Sequence, residues 1–234
     1  MNVQGRFISA DFGDFLIIGS YTPCSMLGEE PTLARVAYDA AVTQYIVRQR
    51  RAKPKRPIFM GGDLNVAPTS ADAEFEPGFI PVVGTTPGLK PHEVKAFDGF
   101  LRAGGLVDIR AEMKRLQASS EWPWTWERGL QPDRPESINY PMRMNIDHWL
   151  GSEDAVLGYH SNIQVEDTRV THGRYGSDHR ATILGLYVCK DPVSEPAKRT
   201  RVAEHALATA TDDCSMDQRS CKRNICNGPE CQPR

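Results

Sequence analysis

Pro57-Ile58-Phe59-Met60-Gly61-Gly62-Asp63-Leu64-Asn65 is the stretch that sets the reading of this chain. Its first four residues are an apolar run. A run of that length ending in Gly-Gly reads as a buried strand that stops at a loop. Asp63 and Asn65 lie two apart, so in extended backbone their side chains share a face. They make a compact oxygen-donor pair at a strand end, which suits a hard cation such as Mg²⁺. The same spacing is also ordinary turn chemistry, in which Asp and Asn bond their own backbone. A second motif, Gly176-Ser177-Asp178-His179, sets a carboxylate beside an imidazole just before the apolar run Ala181 to Val188. In such a pair one residue can hold metal while its neighbour takes or gives a proton.

Working outward, residues 6–10 and 15–21 read as two strands joined by the turn signal Asp11-Phe12-Gly13-Asp14. Thr32 to Gln49 reads as a helix capped by Thr32. Leu33, Val36, Ala37, Ala40, Ala41, Tyr45 and Ile46 make its apolar stripe. Residues 57–63 read as the strand that carries the Asp63–Asn65 pair, followed by a Pro/Gly-rich loop from Ala67 to Pro91. A helix over 92–103 is stopped by Gly104-Gly105, and Val107 to Leu116 is a weaker helical stretch. Strands near 146–150 and 181–188 frame the polar segment that ends in Asp178 and His179.

The chain has 234 residues, 40% hydrophobic and 25% charged, the mix of an ordinary globular protein. It has no apolar run long enough to span a bilayer and no apolar leader, so neither membrane insertion nor secretion is indicated. A net charge of −2 argues against broad nonspecific adhesion to nucleic acid. The basic run Arg48 to Arg56 leaves room for a local cationic surface or a solvated helix end. After Lys190 the composition turns Pro-containing, charged and poor in large apolar residues, the signature of a disordered tail. Cys214, Cys221, Cys226 and Cys231 lie there without the paired spacing of a zinc site.

Several motifs in order resemble the exonuclease III / class II apurinic endonuclease family of the endonuclease–exonuclease–phosphatase superfamily. Gly5-Arg6-Phe7-Ile8 followed by Tyr21-Thr22-Pro23 is similar to that family's GR…YTPN strand pair. Gly62 to Ala67 matches its GDLNVA. Pro87 to Glu93 resembles its AGFTPQE helix start, and Trp124-Thr125-Trp126 its YTFW segment. Met144 to Ser152 resembles WRLDYFLVS, and Gly176 to His179 matches GSDH. The resemblance runs over roughly residues 5–189.

It implies a DNase I-like four-layer α/β sandwich, incomplete at the N-terminus, with residues 1–189 as the C-terminal two-thirds of the domain. It implies Mg²⁺-dependent (or Mn²⁺-dependent) hydrolysis of phosphodiesters at abasic sites or 3′ ends of double-stranded DNA, as in base excision repair. The chain would act as a monomer, inside the cell and in the nucleus if eukaryotic. His179 would be the general base or the group that polarises phosphate, with Asp147 fixing its tautomer as an orienting carboxylate does in hydrolase triads. Asp63 would bind or activate the attacking water, or protonate the leaving group. Asn65 and Tyr21 would contact phosphate. Asp63, Asn65, Asp178 and His179 would surround the metal, and Trp124, Trp126 and Met144 would line a pocket for a flipped, baseless sugar.

Two departures bear on activity. Cys24 stands where the family has Asn, and a thiol cannot supply that amide donor. The early Asn and the metal-binding Glu of the family precede its GR strand and have no counterpart here. A site with one carboxylate fewer holds Mg²⁺ weakly. Poor cleavage by this chain is therefore expected, with Glu29, Glu30 and Glu166 the first candidates to fill the gap. Other readings are a different phosphodiesterase of the same superfamily, or a binding module that keeps the scaffold without the chemistry.

Overall fold

A computed structural model describes residues 5–26, 28–75, 84–117, 122–128, 142–158, 162–173 and 176–188. Its centre is the apolar run quoted first. Ile58–Asp63 is β3, the middle of a five-stranded sheet. On one side it pairs in parallel with β2 (Leu16–Ser20), which pairs antiparallel with the edge strand β1 (Phe7–Asp11). On the other side it pairs antiparallel with β8 (Asp147–Ser152), which pairs antiparallel with β5 (Leu106–Asp108). Parallel neighbours need a crossover, and helix α1 (Glu29–Ala52) provides it between β2 and β3.

Residues alternate across a strand, so β3 feeds two cores. Ile58 and Met60 face α1 and α2 (Pro91–Gly104), meeting Val42, Ile46, Phe97 and Phe100. Phe59 faces the opposite way, toward α3 (Ile109–Gln117), α4 (Glu153–Leu157) and a two-stranded sheet of β9 (Ile163–Val170) and β10 (Thr182–Val188). Both faces are covered, which is why β3 reads as a continuous apolar run. Among the described residues α1 and α2 thus cover one face of the five-stranded sheet, and α3, α4 and the second sheet cover the other. A small third sheet, β4 (Ala73–Glu74), β7 (Arg143–Met144) and β6 (Trp126–Glu127), sits at the mouth of the site.

Strand β3 runs through Gly-Gly to Asp63, the end that the expected span 57–63 gives it. Gly61 leaves room for the Trp149 indole, whose ring atoms would lie 2.4–2.6 Å from an added Cβ. Helix α1 starts earlier than expected, and Thr32 does not cap it; its hydroxyl donates to the Gly28 carbonyl from inside the first turns. The buried side chains of α1 are Arg35, Asp39, Val42 and Ile46, while Leu33 and Val36 are exposed. The stretch Val107 to Leu116 opens as strand β5 before it becomes α3, and β9 fills part of the segment read as polar connection. Within the basic run, Arg50 and Arg56 turn inward, Arg50 to Gly104 and Ser152 and Arg56 to Asp11 and Gln49, so the run is only in part a solvated surface. Residues 190–234, with the four tail cysteines, lie outside the described residues. No described helix is long and apolar enough to cross a membrane.

Candidate active site

The ends of β3 and β8 bring the two motifs together. Antiparallel pairing sets Asp63 directly opposite Asp147. His179 reaches the same place from the chain entering β10, and its Nδ1 donates to Asp147 Oδ2 at 2.9 Å. That bond leaves Nε2 facing away from the carboxylate. The His179 side chain is 28% exposed and Asp147 is 11% exposed, so the ring is reachable while its partner is sheltered. Asp147 is itself held from below. The hydroxyl of Thr125, fully buried, accepts from the backbone N–H groups of Ile146 (3.0 Å) and Asp147 (3.1 Å).

Asp63 and Asn65 meet, but not by strand alternation. Asn65 lies beyond the strand in the left-handed region, at φ 47°, which Asn tolerates better than most residues. This turn lets its backbone N–H donate to Asp63 Oδ1 (2.8 Å) and its side-chain amide to Asp63 Oδ2 (3.0 Å). The same amide donates to the Thr22 carbonyl at 2.8 Å, tying in the Tyr21-Thr22-Pro23 segment. The structure thus combines both readings of Asp-x-Asn: turn chemistry builds the pair, and the pair sits at the site.

The charges are coupled. Burial and then the facing Asp147 carboxylate push Asp63 up to about 6. Burial lowers His179, but the Asp147 hydrogen bond and the charges of Asp147, Asp63 and Asp178 outweigh it and hold the imidazolium above its usual range. The sign of a test follows. Asp147→Asn removes a negative neighbour from both groups, so both midpoints should fall. Without added divalent cation, the Asp63 carboxyl should titrate near 6 in the wild type by carbon NMR, and lower in the variant. An unmoved midpoint would show that burial alone sets it.

The remaining candidates divide. Tyr21 stands exposed at the end of β2 with the Arg6 guanidinium 4.6 Å over its ring. Trp126 forms a bridge with His179, and its indole N–H donates to Asp178 Oδ2 at 2.9 Å, while the Asp178 charge acts on His179. Trp124 is half-buried, and its carbonyl accepts from Arg180 at 2.8 Å. Met144 is 4% exposed and packs under Gly88 with Ala67 and Ile146. It packs against Trp126 in the same apolar cluster.

The donor set does not complete a metal site. Both Asp63 oxygens take Asn65 N–H groups, Asp147 Oδ2 takes His179, and Asp178 Oδ2 takes Trp126. Among the described residues no three His, Cys, Asp or Glu side chains gather as a metal would need. Glu29 and Glu30 stand in the first turn of α1, and Glu166 is exposed on β9.

Sequence reading missed a buried support behind these groups. Arg35 is fully buried and binds the carbonyls of Pro23, Leu64 and Asn65. His148, beside Asp147 and pointing the other way, bridges Asp108 (3.1 Å) and the Val66 carbonyl (2.8 Å). The signal for Arg35 was present: Arg35, Asp39, Val42 and Ile46 are in helical phase.

No family model matches the chain. Curated relatives do. It is 29% identical over 206 residues to a DNA-(apurinic or apyrimidinic site) endonuclease of Plasmodium falciparum, covering 78% of this chain and 32% of that protein. It is 28% identical over 176 residues to an exodeoxyribonuclease of Bacillus subtilis, covering 75% and 62%. The chain is thus similar to proteins named as apurinic endonucleases and exodeoxyribonucleases. It spans about a third to three-fifths of the length of these two relatives. Among solved structures, the 3′ phosphatase NExo from Neisseria superimposes with a TM-score of 0.59 at 20% identity, covering 80% of this chain and 66% of that one. The fold is DNase I-like.

Proposed function

We propose that this chain carries the hydrolytic centre of a nuclease that cuts phosphodiesters in DNA at abasic sites or 3′ ends. The observation that carries the reading is the His179–Asp147 couple facing the Asp63–Asn65 pair across the β3–β8 register. A phosphodiester placed between them meets an oriented imidazole, a carboxylate able to hold the attacking water, and the exposed hydroxyl of Tyr21. The sheltered Asp147 fixes the ring, so the geometry is set before substrate arrives. Relatives named for apurinic endonuclease and exodeoxyribonuclease activity support DNA as the substrate. Mg²⁺ is the cation the resemblance implies. It would need oxygen ligands beyond those the described residues gather.

The test is nicking of a duplex bearing one abasic site, with and without Mg²⁺, by the purified 234-residue chain. Incision at the abasic site, absent from undamaged duplex, is the expected result, at a rate below that of a longer relative. A folded chain that binds abasic duplex and never cuts it would favour the second reading, a DNA-binding scaffold without turnover. The incomplete donor set is the observation on that side.

A further inference from the structure

We propose that Arg35 is a positioning residue that locks the two site-bearing segments, Tyr21-Thr22-Pro23 and Asp63-Leu64-Asn65, into one rigid unit. The kinetic part rests on the nuclease reading above; the structural part does not.

Arg35 sits on α1 with no exposed surface. A buried guanidinium is costly unless its donors are used. Here they are spent chiefly on the backbone of the site. Nη1 donates to the carbonyls of Pro23 and Asn65, both at 3.1 Å, and Nη2 to the carbonyl of Leu64 at 3.0 Å. Nε donates to Asp39 at 2.8 Å, and Glu93 lies 3.8 Å from Nη1. Glu93 is fixed in turn by the Ser25 hydroxyl and the Lys90 backbone N–H. Asp39 and Glu93 supply the negative charge, so the three carbonyl bonds are free to do geometric work.

That work is specific. Successive carbonyls along a strand point to opposite sides. Those of Leu64 and Asn65 instead reach one guanidinium, and Asn65 turns left-handed at this point. The left-handed turn is what lets Asn65 cap both oxygens of Asp63. The Pro23 bond closes the unit from the other side, beside Tyr21. Only a planar fork reaches three carbonyls at once; an ammonium keeps the charge and loses the geometry.

Arg35→Lys in the 234-residue chain tests this. Amide hydrogen exchange reads three bonds that depend on the unit: Thr22 N–H to the Asp63 carbonyl, Leu64 N–H to the Ile146 carbonyl, and Asn65 N–H to Asp63 Oδ1. The β9–β10 ladder, remote from Arg35, is the internal reference. The three amides should exchange faster by on the order of tenfold or more, with the ladder unchanged. Unchanged exchange at the three, or equal acceleration everywhere, overturns the proposal. On abasic duplex the variant should lose kcat by on the order of tenfold or more with KM nearly unchanged, as misplacement does. A raised KM with kcat intact overturns it. If the wild type does not nick, only the nuclease reading falls, and exchange still decides. If Arg35→Lys does not fold, Asp39→Ala frees Nε alone. Its acceleration should be smaller and confined to the same three amides, and a uniform one overturns the proposal.

Discussion

Replacing His179 with alanine is expected to slow cleavage of abasic duplex by on the order of 10²-fold or more, the usual worth of a placed proton-transfer group. The ring is held by one side-chain bond, Nδ1 to Asp147, which leaves Nε2 facing away from that carboxylate. Nothing else described at this mouth offers a titratable donor in that position: Asp178 is engaged by Trp126, and the Asp63 oxygens by Asn65. Asp147→Asn should cost a comparable factor, because an amide at that position no longer selects the same imidazole tautomer. The two residues act as a unit, so the double variant should be barely worse than His179→Ala alone. Single-turnover rates at saturating duplex give the comparison. Additive losses would mean that Asp147 and His179 contribute separately and that their bond is incidental. A loss below tenfold with the fold intact would remove His179 from the chemistry.

How much of this site could be read from the chain depends on what a sequence pattern records. The apolar runs around β2, β3, β8 and β10 were legible because apolar content marks a strand covered on both faces or packed on another sheet. Strand β9 was not. It alternates Ile163 and Val165 inward with Gln164 and Glu166 outward, but charge at Glu166, Asp167 and Arg169 hides the period, and a register shift opposite Gly185 and Leu186 breaks it further. The inward face of α1 was misread for a related reason. A hydrophobic stripe was sought, and Leu33 and Val36 at its start are exposed; the first half of the inward face is the charged pair Arg35 and Asp39, whose donors serve the site, and only Val42 and Ile46 beyond them are apolar. His179, Asp147, Asp63 and Asn65 were legible as residue types in motif order. Their contacts were not, since strand alternation would have placed Asn65 without the left-handed turn that joins it to Asp63.

Gly62→Ala should be the most damaging single methyl in the described chain. It is expected to cost about 3 kcal/mol or more of folding stability and to remove activity with it. Gly62 adopts φ 128°, a conformation L side chains rarely enter, and an added Cβ would lie 2.2 Å from the Ser20 carbonyl oxygen. That atom is backbone in the neighbouring strand β2, so no rotamer change relieves the overlap; β2 and β3 would have to separate where they carry Tyr21 and Asp63. Gly13→Ala is the control. Gly13 also has positive φ, at 83°, but its Cβ would meet nothing within 4 Å. It should cost only about 1 kcal/mol, the conformational penalty alone. Urea unfolding of both variants separates the two terms: the difference between them measures the collision with Ser20. Near-equal losses would show that the strand end gives way easily, and the rigid register that holds Asp63 opposite Asp147 would then have to come from the hydrogen bonds of Asn65 and Thr22 instead.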